Sequence, residues 1–91
     1  MNMSSSDPDG NVDTTIQYLL MDLDSALLLM DVADQSGDGE KAETNYRTAH
    51  QTYDIILWRT RSIRSTDKKL EAVERKLALL RSRLEGVGHD F

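Results

Sequence analysis

The sequence predicts an all-α fold, an antiparallel up-down-up bundle of three helices near residues 13–35, 39–64 and 67–85. Three observations carry this. Ala42, Tyr46, Ala49, Tyr53, Ile56, Thr60 and Ile63 recur in alternating steps of four and three, which is one sustained seam of an α-helix. Two further stretches show the same spacing. Between the three stretches lie short polar segments built of turn and N-cap residues.

The first helix spans Val12 to Ala33. Thr14 and Gln17 have capping-box spacing, and Asp13 is a second N-cap candidate. Ile16, Leu20, Leu23, Leu27 and Met30 form its seam, widened by Leu19, Ala26 and Ala33. A second apolar set, Tyr18, Met21, Leu28, Leu29 and Val32, lies on a different arc of the same helix. A helix apolar on two sides is covered on two sides, and only two other helices are available, so a subunit interface is expected.

Asp34 to Glu40 breaks the helical pattern with two glycines and short polar residues, and Asp38 is the expected N-cap of the next helix. Asp34-Gln-Ser-Gly-Asp-Gly39 resembles the first half of an EF-hand calcium loop. It departs from that pattern at Lys41, where an apolar residue is usual, and at Asn45, where a bidentate Glu is needed. A polar turn is expected here, without a metal. On the second helix Ile55, Leu57 and Trp58 fall off the seam. Trp58 is either a wedge against the third helix or a contact for a second molecule.

Ser65-Thr-Asp67 holds good N-cap residues and poor helix-interior ones, so it is a turn candidate. Leu70, Val73, Leu77, Leu80 and Leu84 make the third seam, ended by Gly86-Val-Gly88 and a short tail over 86–91. The seven-residue spacing from Ala42 through Ile63 to Leu84 also allows one helix from about 39 to about 85. That rod would be roughly 70 Å long and would need a dimer partner to complete it. Asp67 and Glu74 occupy the sites a continued seam would bury, which favours three helices.

Composition limits function. Ninety-one residues make a single small domain, here 12–85, with 1–11 expected as a disordered tail lacking the basic and apolar stretches of a secretory signal. The absence of cysteine excludes disulfides and thiolate metal sites. No apolar run approaches the roughly 18 residues of a membrane span, so a cytoplasmic, membrane-free protein is expected. Residues 1–54 carry two basic against eleven acidic side chains, and 55–91 carry nine against five, giving the net charge of −5. The halves are expected to neutralise each other within or between subunits. Basic residues over 59–83 admit an alternative, a small nucleic-acid-associated regulatory protein, although Glu71, Glu74 and Glu85 interrupt the run. His50 has Tyr53 and Asp54 nearby but no nucleophile, and His89 lies in the tail. No phosphate loop or hydrolase motif occurs, so neither enzyme activity nor a cofactor is expected.

From Ala26 to Leu57 the chain resembles a tetratricopeptide-type helical hairpin. Ala42-x3-Tyr46-x2-Ala49 is similar to the small–aromatic–small signature of the second repeat helix, with Gly37 in the turn. Met30 stands where that pattern has a small residue, and Asp54 where proline is common. Together with Lys76 to Glu85 the hairpin is also similar to the three-helix MIT domains. Both resemblances imply an adaptor that binds a peptide or a helix. The second apolar face of the first helix makes the expected function a protein–protein interaction module that self-associates, a dimer foremost. Its contact candidates are Met21, Leu28, Leu29, Val32, Ile55 and Trp58.

Overall fold

The computed structural model describes residues 8–63 and 68–91, with the side chains of 8–13 excepted. Its elements are α1 (Pro8–Gln35), α2 (Gly39–Ser62) and α3 (Lys68–Gly86), and each helix packs against both others. This is the three-helix bundle the seams predict. α2 and α3 are separate helices, so the single-rod alternative does not describe the chain.

α1 begins earlier than its seam suggests. It is already helical at Pro8, the first of the described residues. Asp13 and Thr14 therefore lie inside the helix and do not cap its start. Of the expected 1–11 tail, residues 1–7 lie outside the described residues and 8–11 are helical. Asp38 caps α2 as expected. Its Oδ1 accepts from the backbone N–H of Glu40 at 2.9 Å and of Lys41 at 3.2 Å. α2 stops at Ile63, in extended conformation, with its N–H bonded to the Thr60 carbonyl at 3.1 Å. The turn candidate Ser65-Thr-Asp67 lies outside the described residues.

The core runs along the bundle axis. α1 contributes Ile16, Leu19, Leu23, Ala26, Met30 and Ala33, all nearly inaccessible to solvent. This stripe is rotated from the expected seam. Leu20 and Leu27 are only partly buried at its edge, because α2 lies on the Ala26–Ala33 side, where small residues allow close helix approach. α2 buries Ala49, Tyr53, Ile56 and Thr60, and α3 buries Val73, Leu77, Leu80 and Leu84. The threonines of α2 differ instructively. Thr44, Thr48 and Thr52 each donate a hydroxyl to the carbonyl four residues back at 3.0 Å, whereas the buried Thr60 hydroxyl has no partner.

α3 closes with a Schellman turn. The His89 N–H bonds the Leu84 carbonyl and the Gly88 N–H bonds that of Glu85, both at 3.0 Å, with Gly88 at φ +96°. The turn sends residues 89–91 back onto α2. The short tail is packed there, because a left-handed glycine reverses the chain where the rings of His89 and Phe91 can reach the bundle.

Candidate protein interaction surface

The outward face of α1 carries the strongest unsatisfied apolar feature. Tyr18, Met21, Leu28 and Val32 are between 52% and 62% exposed. With Ser25 they recur in steps of three and four, the same spacing as the buried stripe, so α1 has two seams and the bundle covers one. Tyr18 and Val32 each stand seven residues from Ser25. Met21 lies four residues before it, and Leu28 and Leu29 lie three and four after it. The strip is therefore nearly symmetric about a small, exposed centre.

Of the six expected contact residues, Met21, Leu28 and Val32 fall on this strip. Leu29 is half-buried and lines a shallow groove between α1 and α2 together with Ser25, Thr52 and Ile55. Ile55 thus borders the strip from the α2 side, and Trp58 follows one turn along α2 with 71% exposure. Trp58 is not a wedge against α3. Tyr18 and Ser25 belong to the surface although the expected contact set omits them; the three–four spacing running through them was the available signal. Leu79, on the outer face of α3, is also exposed.

The flank of the strip toward α3 is electrically closed. The Lys76 ammonium bonds the Asp24 carboxylate, and Arg83 bonds Asp31 at 2.7 Å and Asp34 at 3.0 Å. The same seven-residue step separates Asp24 from Asp31 and Lys76 from Arg83, as expected of parallel helices. Asp31 is the leading influence that raises the Arg83 pKa, with Asp34 adding to it against partial burial. Arg75 and Arg81 pair along α3 with Glu71 at 4.0 Å and Glu85 at 3.6 Å. Of the basic segment 59–83, Lys76 and Arg83 are thus spent on α1, and Arg75 and Arg81 have carboxylate neighbours.

Asp34 serves both neighbouring helices. Its Oδ1 accepts from the Tyr46 hydroxyl at 2.7 Å while its Oδ2 accepts from Arg83. The Tyr46 bond chiefly, with help from Arg83, holds the Asp34 carboxyl below the ordinary carboxylate value against the opposing effect of burial. The same bond chiefly pushes the Tyr46 phenol above its ordinary value. The first carboxylate of the EF-hand-like loop therefore has both oxygens engaged, and Asp38 caps α2. Among the described residues no group of three or more His, Cys, Asp or Glu side chains could hold a metal ion. Nor is any helix there long and apolar enough to cross a membrane.

A second cluster was not foreseen from sequence. His50 and His89 face each other with their Nδ1 atoms 2.9 Å apart. His89 Nε2 lies 3.2 Å from Glu43, and His50 Nε2 lies 3.7 Å from Asp54. The Phe91 ring sits 4.3 Å from the His50 ring and 4.8 Å from that of Tyr53, with the Arg81 guanidinium 5.0 Å from its centre. The pairing joins residues 39 apart, and no sequence periodicity reports it.

No protein-family model, curated protein or solved structure matches this chain. The tetratricopeptide and MIT resemblances therefore rest on Ala42, Tyr46, Ala49, Gly37 and the Lys76–Glu85 stretch.

Proposed function

We propose that the protein is a non-enzymatic helical interaction module whose partner is a second copy of itself, packed antiparallel through the outer strip of α1. The supporting observation is the near-symmetry of that strip about Ser25. A two-fold contact brings residue positions equally far from its axis together, so the same surface must complement itself. With the axis at Ser25, Tyr18 of one copy meets Val32 of the other, and Met21 meets Leu28 and Leu29. The small Ser25 side chains let the helices approach at the centre. Charge favours the same occupant. Asp24 and Asp31, on the α3 flank of the strip, already carry cationic partners from α3, so that flank does not present bare carboxylates to a second copy. Ile55 and Trp58 form the rim on the α2 side. The absence of cysteine and of any membrane-spanning helix among the described residues supports a cytoplasmic setting for this assembly.

Light scattering on the full chain at tens of micromolar tests the reading. The expected mass is that of two chains, with Leu28→Asp halving it while most of the far-UV helix signal is kept. A wild-type monomer throughout that range would overturn it.

A further inference from the structure

We propose that His50 and His89 form a proton-sharing latch that keeps the C-terminal tail on α2 at neutral pH and releases it in acid. The geometry comes first. The two ring centroids are 5.1 Å apart and the facing nitrogens 2.9 Å apart, so most of the separation beyond that gap is the two ring radii. The rings therefore meet nearly end to end, each Nδ1 aimed at the other. A metal ion bound to both nitrogens needs its two bonds to converge at a wide angle on a point off that line, with the nitrogens farther apart for tetrahedral coordination. A single hydrogen between the rings fits the end-to-end approach.

Proton counting gives the switch. With His89 donating its Nε2–H to Glu43, its Nδ1 is a lone pair and must accept. His50 then supplies the hydrogen from Nδ1. A first added proton goes to His50 Nε2, beside Asp54, and leaves the shared hydrogen in place. A second places hydrogens on both facing nitrogens, and two imidazolium N–H groups cannot occupy 2.9 Å. The docked pair thus holds one added proton and the released pair two. Docking accordingly weakens on acidification.

The surroundings are mixed in sign. Glu43 and Asp54 on α2 favour charge on the pair, and Asp90 lies in the same recess. Arg81 of α3 faces it across Phe91, and the Tyr46 and His89 rings meet edge to face with their centroids 6.3 Å apart. The carboxylates support the first proton; neither removes the contact between two N–H groups. The rest of the latch is mechanical. The Schellman turn at Gly88 aims the tail, and Phe91 covers Tyr53, which is only 5% exposed. Release opens the end of the α2–α3 groove lined by Tyr53, Leu57 and Arg81.

Proton NMR of the full chain between about pH 8 and about pH 4.5 reads the latch through the Phe91 ring, which the His50 and Tyr53 rings shield while it is docked. The expected result is a loss of that upfield shift on acidification, with far-UV helicity retained. In His50→Gln, which cannot acquire the second charge, the pH-dependent step should be absent. A Phe91 signal still shielded at the acid end would overturn the proposal. So would an identical transition in His50→Gln, or a loss of helicity over the same pH range.

Discussion

The hydroxyl of Tyr46 donates a 2.7 Å hydrogen bond to Oδ1 of Asp34, tying the first half of the bundle's second helix to the end of its first. Because the bond lowers the Asp34 pKa and raises that of Tyr46, it leaves a mark at both ends of the pH scale. The contribution of Asp34 is present above the ordinary carboxylate value and is lost as pH falls through its lower folded value. That of Tyr46 is present below the ordinary phenol value and is lost as pH rises through its higher folded value. Tyr46→Phe should therefore lower the urea midpoint between about pH 5 and about pH 9, with the wild-type curve approaching the variant's toward both extremes. Parallel curves at all pH values would disconnect the bond from stability.

Thr60 gives a prediction of opposite sign. Its hydroxyl is buried without a partner, and an unpartnered buried hydroxyl costs roughly 1–3 kcal/mol. Thr60→Val keeps the shape and removes that cost, so it should stabilise the bundle by about 1 kcal/mol in denaturant titration. A destabilised variant would mean that the hydroxyl finds water in solution.

Gly88 is the one described residue in the left-handed region, and no atom lies within 4 Å of where a Cβ would sit. The penalty for Gly88→Ala is therefore one of backbone conformation, about 1 kcal/mol. It should fall on the tail more than on the bundle. Hydrogen exchange at the His89 amide should accelerate about fivefold while the amides of Leu77 and Leu80 are unchanged.

The Lys76–Asp24 contact joins two substantially exposed groups. Asp24→Asn should accordingly shift stability by only a few tenths of a kcal/mol, and the shift should shrink in high salt. A loss above about 2 kcal/mol would show a desolvated pair.

The bundle was legible because apolar spacing is a direct image of burial. Val73, Leu77, Leu80 and Leu84 are buried as their spacing predicts. On α1 the same logic named too many residues. Leu20 and Leu23 are both apolar, and only the side on which α2 packs decides which is covered fully. The helical state of residues 8–11 was missed because their polar, glycine-containing composition reads as a tail. Met21, Leu28 and Val32 were recognisable because they duplicate the helical period on a second face. His50 and His89 were not, since a contact across 39 residues made by a tail reversing at one glycine leaves no period to read.

The repeat that makes this fold readable also gives it a competitor. Lys69, Lys76 and Arg83 recur every seven residues, and Lys76 and Arg83 face Asp24 and Asp31. Were α3 to slip lengthwise by seven residues, Lys69 would meet Asp24 and Lys76 would meet Asp31. Leu70, Val73 and Leu77 would take the places of Leu77, Leu80 and Leu84, apolar side chains of similar size. The core opposes this arrangement, since Leu80 and Leu84 would be carried beyond their buried sites, and Arg83 would leave Asp31 and Asp34. The contacts of Phe91 with Tyr53 and of His89 with His50 oppose it too, because they exist at one position of α3 only. The few residues beyond the last helix thus act as an end stop, reinforcing the one alignment that fills the core.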